Sequence, residues 1–412
     1  MSKFVPMDER KERILIIGGG AAGYFSAIRC AECRPAAAVE IWEQAKAPLG
    51  KVKISGGGRC NVTHACFDPT ELAESYPRGS KALLGPFHSF MTGDTIAWFE
   101  DRNVPLKVED DGRMFPVSDS SASIISCLTQ SASKAGVAIH LKRAARNLTF
   151  SHDKWEVEDK GGVVETFDKV LIASGSAGLM FKILAGLGHT IVEPVPSLFT
   201  FDSNDLLIPG MAGQTHMVSV WIPGTKLVEE GNMLITHWGL SGPPILRLSA
   251  WGARELHKKD YQFPIHISFL PDQTAEELIA HFHILRQQQP STVLSKKVWS
   301  QFSQRLWLRL LELTGLSRTK RWADMSNLNC ESLARTLTDY ELLVVGKSTF
   351  KEEFVTCGGI KLKEVDFRSM KSKLYKNLFF AGEVLDIDAI TGGFNFQAAW
   401  TTGWIAGGAM AS

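Results

Sequence analysis

The sequence of 412 residues predicts an α/β fold in which both chain ends form one domain and a middle region forms an insertion. Strand–glycine-turn–helix patterns lie near the two ends, at residues 13–33 and 377–410. Between them, β-like runs with many Gly and Pro are followed by amphipathic helical segments. We therefore expect a Rossmann-like domain at 1–194 with 354–412, a β-barrel-like part at 195–272 with 344–353, and a helical part at 273–343.

The first element is an apolar strand that leads into a glycine turn. Residues 14–17 form a short apolar run, as expected of a strand covered on both faces, and a helix-like stretch starts near Ala21. Gly18, Gly20 and Gly23 give the spacing G-x-G-x-x-G. In that pattern the first glycine allows the turn, the second lets backbone approach a pyrophosphate, and the third lets the helix pack on the strand.

A carboxylate stands at the end of the next predicted strand, AVEIWEQ. Glu43 is placed there to accept both ribose hydroxyls of an adenosine, and it would repel a 2′-phosphate. The sequence therefore indicates FAD or NAD rather than NADP at this turn. A glycine-rich turn without a ligand is the alternative, but the strand, the helix and the acidic residue together favour a nucleotide.

The next segment carries three consecutive glycines. SGGGRCN at residues 55–61 is expected to be a loop that lets backbone run close to a ligand, because three glycines in a row cost chain entropy. A helical and irregular region extends to about Asn103, followed by a strand, a turn at residues 111–112 and a helix from about Ser120. Strands with a hairpin at residues 161–162 then lead to the buried-type strand KVLIAS.

The middle region changes from strand-like to helical character. Runs such as HMVSVWI and YQFPIHISFL lie in residues 196–270. TAEELIAHFHILRQQQ and KKVWSQFSQRLWLRLLELTG instead show apolar spacing near 3.6 residues, so we expect residues 274–343 to be helical. The insertion has the size of a domain, roughly 150 residues.

The C-terminal pattern favours FAD over NAD. NLFFAGEVLD predicts a strand that ends in Ala-Gly-Glu, where many FAD enzymes place an acidic residue for the ribityl hydroxyls. Gly392, Gly393 and Phe394 then begin a helix-like stretch whose amides can face the pyrimidine end of a flavin or its phosphate. Ordinary strand–turn–helix packing is the alternative.

Composition and charge are those of a globular enzyme. The net charge is +1, with 45 Lys and Arg against 44 Asp and Glu, so we expect no nucleic-acid partner. No stretch approaches the ~20 apolar residues of a membrane helix, and the N-terminus has no apolar signal core. The seven scattered cysteines are expected to be reduced thiols. We therefore predict a cytoplasmic protein without a membrane partner.

Two cysteine pairs raise the question of redox or metal chemistry. Cys60 and Cys66 are spaced C-x5-C, whereas flavin disulfide reductases place a C-x4-C pair on a helix, and no second complete G-x-G-x-x-G follows. Cys30 and Cys33 form C-x-x-C inside the first helix, without a second ligand pair at usable spacing. A redox disulfide and a metal site are therefore both disfavoured.

These motifs resemble a family of bacterial single-Rossmann FAD flavoproteins of the glutathione-reductase-like superfamily. Its members go by the names NAD(P)/FAD-dependent oxidoreductase, aminoacetone oxidase-like FAD-binding enzyme and reductase of bile-acid enones. The matching segments span most of the chain: IIGGGAAG, KISGGGRCNVTH, DGRMFPVSDSSAS, LITHWGLSGPPIL, VTCGGI and FFAGEVLDIDAITGGFNFQAAWTTGWIAG. The family often has Thr-Gly after the strand that corresponds to KVLIAS, and here Ser174 and Gly175 stand there.

The resemblance implies a FAD domain formed by both chain ends and interrupted by β-barrel-like and helical parts. Carried over residue by residue, it implies these FAD contacts: Gly18, Gly20, Ala21, Ala22, Gly23, Glu43, Gln44, Lys53, Ser55, Gly57, Gly58, Arg59, Cys60, Asn61, Ala145, Ala173, Gly175, Gly382, Glu383, Gly392, Gly393, Asn395 and Gln397.

The resemblance also implies a reaction. A FAD-dependent oxidoreductase of this kind moves hydride through flavin N5, here on a small organic substrate bound between the FAD domain and the insertion. NAD(P)H is a candidate electron donor. The alternatives are a flavin disulfide reductase using Cys60 and Cys66, and a non-catalytic FAD-binding protein.

No single motif identifies a proton donor for the substrate. His237 and Ser241 in THWGLSGP are candidates, although a turn with Pro243 at a helix start explains the same residues. His64 and Asp388 lie near the expected flavin loops, and we interpret them as structural hydrogen-bonding groups.

Overall fold

The computed structural model describes residues 11–348 and 355–412. The chain divides into two compact units: the first extends to Val195 and resumes at Val355, and the second begins at Pro196. The first ten residues and residues 349–354 lie outside the described part. The predicted start of the first domain and the predicted boundary at residues 353 and 354 fall there.

The first part of the first unit alternates strands and helices. Its strands are β1 (Arg13–Ile17), β2 (Ala38–Glu43), β3 (Thr63–His64), β4 (Leu106–Val108), β5 (Arg113–Pro116), β6 (Ala138–Leu141), β7 (Ala145–Ser151), β8 (Lys154–Asp159), β9 (Val164–Phe167), β10 (Lys169–Ile172) and β11 (Ile191–Ser197). Its helices are α1 (Ala21–Cys33), α2 (Gly50–Ile54), α3 (Pro69–Glu74), α4 (Ser80–Phe87), α5 (Thr92–Glu100), α6 (Ser121–Lys134) and α7 (Gly178–Gly186). Ser55–Gly58 form a short 3-10 helix after α2.

The second unit combines an antiparallel sheet with helices. Its strands are β12 (Thr200–Asp202), β13 (Thr215–Trp221), β14 (Val228–Ile235), β15 (Gly239–Ser241), β16 (Phe263–Ser268), β17 (Tyr340–Val344) and β18 (Gly346–Ser348), in the sheet order β17-β16-β13-β14-β15-β12-β18. Its helices are α8 (Pro243–Trp251), α9 (Ala253–Lys258), α10 (Ala275–Gln288), α11 (Gln304–Leu313) and α12 (Asn327–Thr338). One apolar core joins the sheet and the helices, with Ile265, Phe282 and Trp307 among its members.

The prediction that residues 274–343 are helical is wrong for its last four residues, which belong to β17. Leu342 and Val344 are buried, whereas Glu341 and Leu343 are exposed. This alternation is the period of a strand with one face on a core. Helix α8 begins at Pro243, as the interpretation of THWGLSGP as a turn and a helix start predicts.

The chain then returns to the first unit. It adds β19 (Val355–Ile360), β20 (Val365–Asp366), β21 (Lys371–Ser372), β22 (Leu378–Phe380) and the long helix α13 (Phe394–Ala411). The central sheet has the order β20-β21-β22-β10-β1-β2-β6, in which β22, β10, β1, β2 and β6 are parallel. Val170 of β10 pairs with Leu378 of β22, so the two ends of the chain share one sheet. The predicted Rossmann-like domain with an interrupting insertion is thereby confirmed.

The core of the first unit follows from its apolar strands. Residues 14–17 of β1 and 170–172 of β10 are buried, which explains their continuous apolar sequence. Smaller sheets of this unit have the orders β3-β5-β4, β7-β8-β9 and β11-β19. Among the helices that the structure describes, none combines the length and apolar character needed to cross a bilayer.

Helix α13 packs along α1 in the same direction. A Cβ on Gly403 would lie 3.0 Å from the Ala22 carbonyl oxygen, and one on Gly407 would lie 2.5 Å from the Ser26 carbonyl oxygen. Because Gly403 is far along α13 while Ala22 is in the first turn of α1, the N-terminus of α13 extends about eight residues, or about 12 Å, beyond that of α1.

Candidate functional site

Gly18 and Gly23 allow backbone atoms to approach closely at the turn between β1 and α1. Gly18 has φ +117°, and a Cβ there would lie 2.3 Å from the Ala173 carbonyl oxygen. A Cβ on Gly23 would lie 1.9 Å from the Gly18 carbonyl oxygen. The glycine spacing therefore has the geometric purpose that the sequence predicts: a tight turn and a helix seated directly on it.

The N-terminus of α1 opens to free space. Gly20 is its N-cap residue, no side chain caps the helix, and a Cβ on Gly20 would meet no atom within 4 Å. The N–H groups of the first turn, which belong to Ala21, Ala22 and Gly23, have no partner within the helix. An uncapped N-terminus with room in front of it is suited to an anionic group.

The Glu43 carboxylate lies against this turn. Its Oε2 accepts a hydrogen bond from the Gly19 amide at 2.7 Å, and its Oε1 accepts one from the Ala45 amide at 2.7 Å. The two amides fix the carboxylate, and each oxygen keeps a second lone pair for an outside donor. Burial and the Glu43 charge raise the pKa of Tyr24 to about 12, so Tyr24 stays a neutral phenol here.

A cavity of about 460 Å³, partly open to solvent, lies beside Glu43. Its lining brings together four residues of the predicted set, namely Gly18, Glu43, Gln44 and Ala145. These residues come from the carboxyl ends of β1 and β2 and from the start of β7. Ligands of parallel sheets bind at such an edge.

Trp42 and Arg143 are wall residues of this cavity that the sequence analysis missed. The Arg143 guanidinium lies 3.7 Å from the centre of the Trp42 ring and is held by Asp159 at 2.9 Å and Glu165 at 2.5 Å. The Trp42 indole N–H is buried and has no hydrogen-bond partner. The only sequence signal for Arg143 was its position two residues before Ala145.

A second carboxylate, that of Glu383, comes from the C-terminal part of the chain. The Glu383 Oε2 lies 3.6 Å from the Cβ position of Gly175, and the Lys51 ammonium bonds the same carboxylate. Gly382 has φ +72°, and a Cβ there would lie 2.9 Å from the Ala22 Cβ. The loop after β22 therefore contacts the first turn of α1 at Gly382, and its Glu383 lies beside Gly175 in the loop after β10.

The three consecutive glycines form a left-handed turn with one packed side and one open side. Gly56, Gly57 and Gly58 have φ between +57° and +84°. A Cβ on Gly56 would lie 2.8 Å from the Phe115 ring, whereas one on Gly57 would meet no atom within 4 Å. The predicted loop is thus a short 3-10 turn in which Gly57 and Gly58 leave a bare backbone surface.

The residues after these glycines lie against the N-terminus of α13. A Cβ on Gly393, the N-cap residue of α13, would lie 2.5 Å from the Thr63 carbonyl oxygen and 2.8 Å from the Asn61 Oδ1. The Asn61 Oδ1 is buried and has no hydrogen-bond partner, and no side chain caps α13. The Asn61 Oδ1, which has no donor, therefore lies next to the uncapped N–H groups of the first turn of α13.

His64 holds the chain just before α13. Its Nδ1 lies 3.1 Å from the Gly392 carbonyl oxygen, to which it must donate, and its ring stacks on Phe394 with centroids 4.4 Å apart. A Cβ on Gly112 would lie 2.6 Å from the His64 Nε2. This enclosure agrees with the predicted structural role of His64.

The Arg59 guanidinium is already engaged inside the protein. It bonds Glu109 at 2.5 Å, approaches Asp119 at 3.5 Å and lies 3.9 Å from the centre of the Phe115 ring. The hydrogen bond to Glu109 is the main cause of the raised pKa of Arg59. The charge of Arg59 is thus balanced inside the protein, and its expected contact with a cofactor stays a prediction.

Two predicted contacts near α13 also have partners inside the protein. The fully buried Gln397 accepts hydrogen bonds at its Oε1 from Thr63 at 2.6 Å and Thr95 at 2.9 Å. The Asn395 amide accepts from the Ala389 N–H at 3.0 Å and donates to its carbonyl at 3.1 Å. These side chains are bonded in the core and in the loop before α13, and their expected role as cofactor contacts stays a prediction.

The four motif cysteines are free thiols. Cys60 is fully buried with φ +63°, and burial raises its pKa to about 12. Burial also raises the pKa of Cys66. Cys30 is buried in α1, whereas Cys33 is exposed. In residues 11–348 and 355–412, no group of three or more His, Cys, Asp or Glu side chains has the arrangement of a metal site.

The candidate proton donors lie in ordinary structural positions. His237 is exposed in the turn between β14 and β15, and Ser241 ends β15, where it pairs with Leu234. Asp388, in the first unit, is fully buried and accepts a hydrogen bond from the Arg78 Nε at 2.6 Å. The second Asp388 oxygen bonds another guanidinium nitrogen of the same arginine.

Three further predicted contacts are Lys53 in α2, Ser55 in the 3-10 helix and Ala173 after β10. Lys53 and Ser55 precede the three glycines, with the Lys53 side chain exposed. Ala173 follows β10, and its N–H donates to the Ile17 carbonyl at 2.9 Å.

Comparison with protein families gives one match over nearly the whole chain. The family model described as HI0933-like protein Rossmann domain matches residues 12–409.

Curated relatives match over similar lengths. A 3-dehydro-bile acid delta(4,6)-reductase of Clostridium scindens is 28% identical over 409 residues, which cover 97% of this chain and 99% of the relative. A ribosomal RNA dihydrouridine synthase of Escherichia coli is 26% identical over 407 residues, which cover 95% and 96%. The protein of that name from Haemophilus influenzae is 25% identical over 415 residues, which cover 97% and 98%.

Solved structures share the fold. The 3-ketosteroid-delta4-(5alpha)-dehydrogenase of Rhodococcus jostii RHA1 has a TM-score of 0.52 at 12% identity, with 99% of this chain and 98% of that chain covered. The FrdA chain of E. coli quinol fumarate reductase has a TM-score of 0.50 at 13% identity, with 97% and 70% covered. At such identities the likeness shows the fold alone.

Proposed function

We infer that this chain, which belongs to the HI0933-like Rossmann family, is a FAD-dependent oxidoreductase. The observation that carries the proposal is the parallel packing of α1 and α13, two helices of the first unit whose N-termini carry no side-chain cap. They point the same way, and they are offset by about 12 Å along that direction. FAD carries negative charge at its pyrophosphate and, on reduction, at the pyrimidine side of the flavin. Two staggered positive helix ends suit those two places.

The residues around α1 fit the adenosine end of FAD. The first-turn amides behind Gly20 receive the pyrophosphate, because nothing else fills the space in front of them. Glu43 accepts the ribose hydroxyls with the lone pairs that its two amide donors leave free. The adenine occupies the cavity lined by Gln44 and Ala145.

The residues around α13 fit the flavin end. Gly57 and Gly58 offer bare backbone, and the orphaned Asn61 Oδ1 is an acceptor for the imide N–H that a flavin carries. Glu383 accepts ribityl hydroxyls beside Gly175. Bound FAD supplies two-electron hydride chemistry at N5, while the chain binds and orients it and stabilises its charge.

The proposed contact set is narrower than the one the resemblance implies. It contains residues that line the cavity, leave backbone open to space or lie near the N-termini of α1 and α13: Gly18, Gly20, Ala21, Ala22, Gly23, Glu43, Gln44, Gly57, Gly58, Asn61, Ala145, Ala173, Gly175, Gly382, Glu383, Gly392 and Gly393. It omits the side chains of Arg59, Asn395 and Gln397, which are bonded inside the protein, and the buried Cys60. Lys53 and Ser55, which precede the three glycines, are omitted too.

For the substrate we propose a carbon–carbon double bond conjugated to a carbonyl group. The names of the relatives, a 3-dehydro-bile acid delta(4,6)-reductase and a ribosomal RNA dihydrouridine synthase, both denote the saturation of such a bond. Conjugation with the carbonyl group makes a carbon of the double bond electron-poor, so that this carbon can accept hydride from a reduced flavin. NADH or NADPH is the proposed source of the electrons.

An anaerobic titration of the purified protein tests this function. The visible spectrum is recorded first, then NADH or NADPH is added without oxygen, and finally a substrate probe. We expect a flavin spectrum that bleaches with a pyridine nucleotide and returns on addition of an enone such as 4-androstene-3,17-dione. The matched saturated diketone, which lacks the double bond, should leave the flavin bleached.

Three outcomes would overturn parts of the proposal. A colourless protein that takes up no added FAD would refute the cofactor. A flavin that no pyridine nucleotide bleaches would refute the electron donor. A reduced flavin that neither the enone nor a uridine-containing RNA reoxidises would favour a non-catalytic FAD-binding protein.

A further inference from the structure

Residues 286–321 of the second unit carry a local positive charge that the net charge of the whole chain does not reveal. The chain has a net charge of +1, but residues 286–321 contain a single acidic residue, Glu312. The same stretch contains eight basic residues: Arg286, Lys296, Lys297, Arg305, Arg309, Arg318, Lys320 and Arg321. Its net charge is therefore +7.

Part of this stretch lines an open groove on the outer side of α11. Arg305 and Arg309 of α11 and Arg318 face the groove together with Glu312, and Gly210 is on its lining too. The space amounts to about 700 Å³ and is open to solvent. The opposite side of α11 is apolar and buried, so the helix turns its arginines outward.

Backbone carbonyls hold two of these arginines in place. Arg305 donates from Nη2 to the Ala212 carbonyl at 2.9 Å. Arg309 donates to the carbonyls of Leu206 at 2.9 Å and Pro209 at 2.7 Å. A guanidinium has five N–H donors, so both keep donors for a ligand while losing little further freedom on binding.

The groove is positive because its three guanidiniums face one carboxylate. Glu312 bonds Arg318, and it lies 3.6 Å from the Arg309 Nε. The Arg318 side chain is nevertheless 55% exposed. The groove thus carries a net charge of +2 on side chains that solvent can reach.

The basic surface continues beyond the groove. The Ser295 amide donates to the Arg318 carbonyl at 3.2 Å, and the Gln304 side chain donates to the Ser295 carbonyl at 2.8 Å. These bonds bring the chain at Lys296 alongside Arg318. Positive charge therefore extends past the three arginines to the exposed Lys296.

We propose that this groove binds the sugar–phosphate backbone of a nucleic-acid strand. Arg305 and Arg309 are about one helical turn apart, roughly 6 Å, which is comparable with the spacing of neighbouring phosphates. Guanidinium groups match phosphate oxygens in pairs. A small anion would engage one such place, whereas a strand engages the arginines and the flanking lysine together. The inference rests on the charge and shape of the groove and not on the flavin reaction.

Fluorescence anisotropy on the protein as purified tests the proposal. The probe is a labelled single-stranded RNA of about 20 nucleotides, titrated over a series of salt concentrations. We expect Arg305→Ala and Arg318→Ala each to weaken binding about fivefold and to lower the salt slope by about 0.7. Glu312→Gln should tighten binding, because it removes the opposing charge. Arg335→Ala, an exposed arginine on α12, is the matched control and should bind like wild type.

The proposal is overturned if the double variant Arg305→Ala/Arg318→Ala keeps the wild-type affinity and salt slope. It is also overturned if Glu312→Gln leaves the affinity unchanged. Inorganic phosphate at millimolar concentration that abolishes RNA binding at constant ionic strength would assign the groove to a small anion. Anionic vesicles that bind in an arginine-dependent way, with no RNA binding, would assign it to a membrane surface.

Discussion

At the scale of a single residue, Glu43 has two structural roles. It accepts hydrogen bonds from the amides of Gly19 and Ala45, which fixes the turn after β1, and it lines the cavity beside that turn. A change at Glu43 therefore alters both the local backbone and the proposed ribose contact. Any variant at this position needs a folding measurement beside a flavin measurement.

Cys60 offers a prediction about reactivity. Its thiol is fully buried, and burial raises its pKa to about 12. A raised pKa keeps the neutral thiol from neutral pH up to that value, and the thiolate is the reactive form. We expect iodoacetamide at pH 8 to leave Cys60 unmodified in the folded protein, as read by peptide mass spectrometry. The exposed Cys33 is the internal control and should be labelled.

The same residue tests the disulfide-reductase alternative. A Cys60→Ala variant that folds should retain the wild-type rate of flavin reduction by a pyridine nucleotide. Labelling of Cys60 at a rate similar to that of Cys33, or loss of electron transfer in Cys60→Ala with bound flavin intact, would contradict a purely structural role for Cys60.

Glycine spacing predicted backbone roles, whereas side-chain partners lay beyond prediction. The roles of Gly18 and Gly23 follow from a local pattern of six residues. The partner of Arg59 is Glu109, fifty residues along the chain, and Gln397 bonds Thr63. No spacing rule connects residues that only the folded chain brings together.

At the scale of elements, the contact between α1 and α13 sets the stagger of their N-termini. Gly403 and Gly407 let the two helices approach closely at Ala22 and Ser26. Each helix presents its uncapped end towards the proposed cofactor. The packing of two helices is thus linked to the distance between two binding places.

Neighbouring glycines of α13 should respond oppositely to the same substitution. A Cβ on Gly407 would lie 2.5 Å from the Ser26 carbonyl oxygen, whereas the nearest atom to one on Gly408 is the Arg29 Nε at 3.9 Å. We expect Gly407→Ala to lower the free energy of unfolding by about 1–3 kcal/mol through overpacking. Gly408→Ala should raise it by up to about 1 kcal/mol through helix propensity.

Thermal unfolding followed by circular dichroism checks this pair. The midpoint should fall for Gly407→Ala and stay or rise for Gly408→Ala. Equal effects of the two substitutions would show that α13 does not pack on α1 as described.

Sequence patterns correctly predicted the helices and strands whose apolar residues are strongly periodic. The prediction was wrong at the boundary between α12 and β17, where a helix is followed directly by a strand. The strand from Arg13, the helix from Ala21 and the hairpin at residues 161–162 all occur where the pattern placed them. Residues 340–343 were assigned to the helical stretch, because α12 ends at Thr338 without a glycine or proline. The alternation that marks β17 extends over only a few residues.

At the scale of the whole molecule, the pairing of distant segments is the main feature. Two similar glycine turns at the chain ends suggested one domain, and β10 does pair with β22. The order β20-β21-β22-β10-β1-β2-β6 was beyond prediction, because register depends on which apolar faces meet after folding.

Whole-chain charge was a poor guide to local surfaces. A net charge of +1 led to the expectation of no nucleic-acid partner, although residues 286–321 alone carry +7. Partners respond to the field of a surface within about a Debye length, roughly 10 Å, rather than to the sum over a chain. Acidic segments elsewhere in the chain offset the basic stretch in the total charge. The RNA titration therefore measures a property of one surface that the net charge does not reveal.

The central claim is that FAD binds the first unit with its ribose at Glu43. The most direct measurement is the flavin content of the purified protein, read from its visible spectrum, beside that of Glu43→Arg and of Glu341→Arg, an exposed control in the second unit. We predict about one FAD per chain in wild type and in Glu341→Arg, and at least tenfold less in a folded Glu43→Arg protein, because two charge-assisted hydrogen bonds are lost. Full flavin occupancy in Glu43→Arg, or none in wild type after FAD is supplied, would contradict it.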